Sequence, residues 1–133
     1  MLSSESAVAL LKSAAEAREH AYAPYSAFPV GAALLLDSGE CVTGGNVENA
    51  SYGLSLCAER AAIVRAIAQG HRRFVAIAIV GPGERDLTPC GACRQFIAEF
   101  GLEIAVVTLR DKAPIVRSIR ELLPDAFDAE SLP

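Results

Sequence analysis

The sequence predicts an α/β domain in which a mixed sheet is covered by helices on both faces. Three observations carry this. Helical stretches alternate with short, strongly apolar runs, as expected of strands buried on both sides. One of those runs, Val30–Leu36, leads into a tight-turn signal, Asp37-Ser38-Gly39, and a second strand follows to form a hairpin. The chain has 133 residues, 52% of them hydrophobic, which is the size and apolar content of one domain spanning residues 1–133. No repeat or low-complexity tract divides it.

Residues 4–19 read as the first helix, with Val8, Leu11, Ala14 and Ala15 on one side and Glu5, Lys12, Glu16 and Arg18 toward water. Ser3 or Ser4 caps its first turn. Pro24 and Pro29 keep the next segment, Tyr22 to Pro29, irregular. Val30–Leu36 and Glu40–Thr43 are the hairpin strands, with Gly44-Gly45 ending the hairpin and releasing a polar loop over 46–55. Cys57–Gln69 is rich in good helix formers and stops at Gly70. The β-branched residues of Val75–Val80 make that run a strand, broken by Gly81-Pro82-Gly83. Cys90–Phe100 reads as a helix entered at Thr88 or Pro89 and left at Gly101. Ile104–Leu109 is a further buried strand and Pro114–Arg117 a short edge strand. Ser118 and Glu121 have the spacing of a capping box for a turn over 119–123, ended by Pro124.

Charge and composition exclude several functions. The formal net charge of −4 gives no electrostatic footprint for nucleic acid, and the one adjacent basic pair, Arg72-Arg73, reads as a solvated turn. No apolar run approaches the roughly 20 residues needed to span a bilayer, and the N-terminus lacks a signal-type leader, so a cytoplasmic location is expected. Four cysteines, three of them in chemically suggestive settings, favour thiolate chemistry over a disulfide framework.

Cys90-Gly91-Ala92-Cys93 sets two sulfurs three residues apart at a helix start, where both can turn toward one ion. The helix N-terminus favours anionic sulfur. On its own this spacing also describes a redox dithiol. Cys57-Ala58-Glu59 adds a third sulfur at a second helix start, with a carboxylate two residues on. Three protein ligands leave a fourth tetrahedral position for water, the arrangement of catalytic zinc, and Glu59 is then placed to move its proton. Cys41, in a strand and away from either helix start, reads as an ordinary buried thiol. Neither His20 nor His71 has ligand-like spacing.

The segments from Tyr22 to Gly31, Asn46-Val47-Glu48-Asn49, Cys57-Ala58-Glu59-Arg60 and Pro89-Cys90-Gly91-Ala92-Cys93-Arg94 resemble the small, homotetrameric, zinc-dependent cytidine deaminases. The resemblance runs from Leu10 to Phe127. It implies a three-layer α/β/α domain with a five-stranded mixed sheet, one zinc ion per subunit, and four copies sharing active-site edges. It implies hydrolysis of cytidine or deoxycytidine to uridine or deoxyuridine and ammonia, with zinc-bound hydroxide attacking C4 and Glu59 shuttling protons. By the same resemblance Cys57, Cys90 and Cys93 hold the metal. Phe28 flanks the base, Asn46 and Glu48 bind the sugar hydroxyls, and the backbone at Ala58 and Cys90 recognises the base. Arg60 tempers the thiolate charge, and Phe127 reaches a neighbouring subunit's pocket. Arg94 either assists Arg60, faces solvent or joins a subunit contact.

Three sulfurs rather than a histidine and two sulfurs fit the small tetrameric branch of the wider superfamily. Two other readings stay open on the sequence: a deaminase of a nucleoside-like antibiotic such as blasticidin S, and a non-enzymatic zinc-stabilised assembly protein. The first shares most of the motif order, and the second requires four protein ligands and no open water position. A dedicated nucleic-acid partner is not expected, because no basic patch accompanies the motifs.

Overall fold

A computed structural model describes residues 2–83 and 85–133. Helix α1 (Ser4–Arg18) is capped by Ser3, whose hydroxyl accepts from Ser6 N–H at 3.1 Å. Strands β1 (Gly31–Leu36) and β2 (Cys41–Gly45) form the hairpin. Helix α2 (Ala58–Ala68) and strand β3 (Phe74–Val80) follow. After α3 (Gly91–Ala98) come β4 (Ala105–Arg110), β5 (Ala113–Ser118) and the single turn α4 (Ile119–Leu122). The sheet order is β2-β1-β3-β4-β5, with β3 and β4 parallel and the other neighbours antiparallel. It is the expected five-stranded mixed sheet.

Strand alternation builds the three layers. Ala32, Leu34, Leu36, Ile77, Ile79 and Val106 point to the face covered by α2, α3 and α4. Ala33, Ala76, Ala78 and Val107 point the other way, onto Ala7, Leu10, Leu11 and Ala14 of α1. Small side chains on that second face bring α1 almost onto the strands. At Gly31 the approach is so close that an added Cβ would stand 1.9 Å from the Ala14 carbonyl oxygen.

Some boundaries differ from the sequence reading. Gly44 and Gly45 do not end the hairpin but continue β2, paired with Ala32 and Gly31. They read as breakers, yet a Cβ on Gly44 would come 2.5 Å from Ala62 N and 2.9 Å from the Ala58 carbonyl oxygen, so glycine lets β2 run beneath the first turn of α2. The 46–55 loop carries two isolated bridges, Tyr22 with Val47 and Val47 with Leu56, and a 3₁₀ turn over Tyr52–Leu54. Cys41 is exposed rather than buried, because the alternation of β2 turns Val42 inward and leaves Cys41 on the flank of α1. The Ser118–Glu121 capping box forms as expected. Arg72 is exposed and donates to the carbonyls of Ile67 and His71.

One ion cluster fastens the far side of the sheet to the β3–α3 connection. Asp86 accepts from Thr108 Oγ1 at 2.5 Å, from Arg110 Nη2 at 2.7 Å and from Arg117 Nη2 at 2.5 Å. These bonds, the Arg117 pair foremost, hold its carboxyl well below the usual carboxylate range. A depressed folded-state pKa stabilises the fold above the unfolded value, about 3.9, and the contribution fades as pH falls below it. Asp86→Asn is therefore expected to cost about 1–2 kcal/mol at pH 7, given the partly exposed arginines. Urea unfolding at pH 7 and pH 3 checks this: the gap between parent and variant should shrink at pH 3, and a gap that stays constant contradicts the assignment.

Candidate active site

Two helix starts meet at one end of the sheet. Cys57 is the N-cap of α2 and Cys90 the N-cap of α3, with Cys93 in the first turn of the same helix. The three Sγ atoms all lie within 4.8 Å of one another. Cys93 is fully buried, Cys57 half-buried and Cys90 exposed. The ionisation pattern shows what these sulfurs require. Burial, then the charges of Glu59 and Cys57, drive the Cys93 thiol far up. Burial opposes ionisation of Cys90 too, but hydrogen bonds from the Cys93 N–H and from the Cys93 and Cys57 thiols outweigh it and bring Cys90 down. Three sulfurs packed against a carboxylate cannot all ionise on their own; a dication of zinc's preference makes that set favourable. The donor set therefore fits the metal, and neither histidine belongs to it.

Glu59, in the first turn of α2, is only 5% exposed. Burial raises its pKa against the pull of its own N–H, the Cys93 side chain and the Arg60 charge. The Arg60 guanidinium donates from Nη2 to Cys57 Sγ at 3.2 Å, and its Nε is buried with no hydrogen-bond partner among the described residues. Bonding and charge attraction to Cys57 outweigh its burial and keep it firmly cationic. Arg94, by contrast, does not reach sulfur in its hydrogen bonds. Its Nε donates to Pro89 O and its Nη1 to Leu122 O, both at 2.8 Å, with Nη2 3.3 Å from Thr88 Oγ1.

A cavity of about 190 Å³ opens beside these groups, lined among others by Phe28, Asn46, Cys57, Ala58, Glu59 and Cys90. That is below the range of about 300–1,000 Å³ usual for drug-sized ligands, and suits one small ring. The first intrahelical bond of α2 runs from Ala61 N–H to Cys57 O, so the N–H of Ala58 has no helical acceptor. Asn46 does structural work here: its Oδ1 accepts from Val30 N–H at 2.8 Å and its Nδ2 donates to Phe28 O at 3.1 Å.

Glu48 does not share that cavity. It lines a second one, about 340 Å³, with Tyr25, Ser26, Tyr52 and Ser55. There its carboxylate accepts from the Ser26 hydroxyl and from the N–H groups of Tyr25 and Ser26 at 3.0 and 3.1 Å. The Ser26 hydroxyl is the main reason its pKa is lowered. Both cavities are walled by the same two stretches, 25–30 and 46–48. Phe127 is 59% exposed and lines neither; its carbonyl accepts from Gln95 Nε2 at 2.8 Å. Sequence reading missed Val30, Ile79, Leu87 and Thr88 in the first cavity, and Tyr25, Ser26, Tyr52 and Ser55 in the second. Tyr25, Ser26 and Val30 lie inside the Tyr22–Gly31 motif but were given no role, and the others carried no signal beyond proximity to motif residues.

Residues 4–109 match the family model for the cytidine and deoxycytidylate deaminase zinc-binding region. The chain belongs to this cytidine deaminase family. Among its members, the cytidine deaminase of Halalkalibacterium halodurans is 50% identical over 125 residues, covering 92% of this chain and 95% of that one. The cytidine deaminase of Mycobacterium tuberculosis is 46% identical over 120 residues, 90% of this chain and 88% of its own. The crystal structure of the Burkholderia pseudomallei cytidine deaminase superposes with a TM-score of 0.86 at 51% identity, covering 90% of this chain and 98% of that one. The deaminase family model describes a zinc-binding region, and Cys57, Cys90 and Cys93 form a three-sulfur set positioned to bind one zinc ion. No helix among the described residues is long and apolar enough to cross a membrane.

Proposed function

We propose that this chain, as one deaminase domain, hydrolyses cytidine and deoxycytidine to uridine and deoxyuridine with release of ammonia. One observation carries the reading: a buried carboxyl, Glu59, stands beside three convergent sulfurs on the wall of a ring-sized cavity. Relatives that cover most of the chain and are named cytidine deaminases support it.

Zinc, when bound, supplies a Lewis acid that lowers the pKa of a water from 15.7 toward about 7. The chain's own groups do the rest. Glu59 takes the water's proton, gives it to N3 of the base, and carries a further proton to the departing amine. Its burial suits this task, because a raised pKa keeps the carboxyl ready to hold a proton. Phe28 packs on the pyrimidine face. The backbone at Ala58 and Cys90 meets the polar edge of the base. Asn46 and Glu48 bind the sugar hydroxyls, and the hydrogen bonds that fix both side chains support this by pre-orienting them. Arg60 draws charge from Cys57 and limits sulfur donation to the metal. We place the enzyme in the cytoplasm as a homotetramer in which Phe127 walls a neighbour's pocket; its exposed ring on a pinned backbone supports that role.

The test is ammonia release from zinc-loaded protein given cytidine, deoxycytidine, adenosine or blasticidin S. Turnover of the two cytosine nucleosides, lost on chelation and restored by added zinc, is the expected result. A preference for blasticidin S over both nucleosides, or no release from either, would overturn the proposal.

A further inference from the structure

The connection between β3 and α3, residues 81–90, supplies Leu87, Thr88 and Cys90 to the smaller cavity, yet its described residues contain no helix or strand. Its shape must come from side-chain anchors, since no ladder of backbone bonds fixes it. At its start, Arg18 Nη1 donates to Gly81 O at 2.6 Å. At its end, Arg94 grips Pro89 O and Thr88 Oγ1. Between them stands the carboxylate of Asp86.

That carboxylate is tied to two strands at once. Thr108, fully buried in β4, offers its hydroxyl to Oδ1. Arg117 of β5 reaches both oxygens, Nη2 to Oδ2 at 2.5 Å and Nη1 to Oδ1 at 3.4 Å. The Asp86 and Arg117 side chains are 17% and 19% exposed, so this pair is far more confined than an ordinary surface ion pair. Among the described residues Asp86 lines neither cavity described above, and its hydrogen bonds go to Thr108, Arg110 and Arg117. Its neighbour Leu87, however, is half-buried against the core and faces the cavity. Leu87 and the Phe28 ring close over the same spot on Gly81: an added Cβ there would lie 2.6 Å from Leu87 Cδ2 and 3.6 Å from Phe28 Cε1. Leu87 and Phe28 thus line one cavity beside Gly81, and a shift of Leu87 changes its shape next to Phe28.

We propose that Asp86 is a positioning residue of the nucleoside site, anchored on β4 and β5 so that Leu87 and Thr88 form a fixed wall of the base cavity. This rests on the deaminase reading above. Because Arg94 separately holds the chain at Pro89, loss of the Asp86 anchor loosens the wall and leaves the zinc ligands in place. Substrate capture suffers, and the chemical step does not.

The experiment is a double-mutant cycle on zinc-loaded protein, reading KM and kcat for cytidine with Asp86→Ala, Leu87→Ala and the double variant. Asp86→Ala is expected to raise KM about tenfold with kcat within about twofold and one zinc per chain, the mark of lost binding rather than lost chemistry. Asp86→Asn, which can still accept from Thr108, should recover part of that loss. In the double variant the rise in KM should fall well short of the product of the two single effects, since Asp86 acts in part through Leu87; a purely stabilising Asp86 would lower thermal stability and leave KM unmoved. KM for folded Asp86→Ala within twofold of the parent, or additive effects in the double variant, overturns the proposal. Should Asp86→Ala fail to fold, Arg117→Ala takes its place in the same cycle under the same criteria. A parent that releases no ammonia from cytidine sinks the deaminase reading and this proposal with it, whereas an active parent with unchanged variants sinks this one alone.

Discussion

Glu59→Gln is expected to lower kcat for cytidine by about 10⁴-fold, the upper end of what one positioned acid–base group contributes. The variant should still fold and still carry zinc. Glutamine has the shape of the carboxyl it replaces, and an amide is cheaper to bury than an ionised acid at a site only 5% exposed. The three sulfurs are untouched. The negative charge of Glu59 is one of the forces that resist ionisation of Cys93, so the neutral amide, if anything, eases metal binding. What the variant lacks is a proton to give and a base to take one. Steady-state kinetics together with zinc-to-protein ratios test this directly: comparable turnover by folded, zinc-loaded variant and parent would show that the shuttle is some other group.

Gly31→Ala should produce the largest loss of stability, about 3 kcal/mol or more, the range reached when a close-packed contact is overfilled. The atoms a new methyl would strike are backbone: Ala14 O at 1.9 Å, Arg18 N at 2.5 Å and Arg18 Cα at 3.0 Å. No rotamer change relieves that clash. β1 cannot retreat either, since it is paired with β2 on one side and β3 on the other. Helix α1 must lift, giving up apolar contact along the whole second face of the sheet and straining the bond from Arg18 to Gly81 O. Gly39→Ala is the matched control. Nothing lies within 4 Å of its Cβ position, and only its φ of +93° is unfavourable, a cost of about 1 kcal/mol. Urea unfolding of the two variants should separate them clearly; equal losses would mean that α1 moves without penalty.

The secondary structure was legible because its signals are local. Apolar spacing, β-branched runs and the Ser118–Glu121 box each act within a few residues, and each element was found where it was expected, with small shifts at the ends. Gly44-Gly45 was misread for the converse reason. A glycine needed for close approach to another element looks, in one dimension, the same as a glycine that ends a strand. Cys41 was misplaced because alternation in a short edge strand does not say which side a helix flank leaves open. At the site, the three cysteines and Glu59 were readable from spacing and chemistry, whereas the partition between cavities was not. Asn46 and Glu48 are two residues apart, yet one serves each cavity, and that depends on how the 25–30 stretch folds over them. Asp86 carried no local signal at all, since its partners lie on β4 and β5.

The metal ligands come from two helices that the chain reaches at quite different times, one before β3 and one after it. A zinc ion on Cys57, Cys90 and Cys93 is therefore also a cross-link, closing a loop that holds all of α2, β3 and the connection to α3. A cross-link of that span restricts the unfolded chain far more than the folded one. Demetallation should thus do more than empty the reaction centre: it removes a tether between the two halves of the sheet, where the parallel pairing of β3 with β4 has no hairpin turn to draw its strands together.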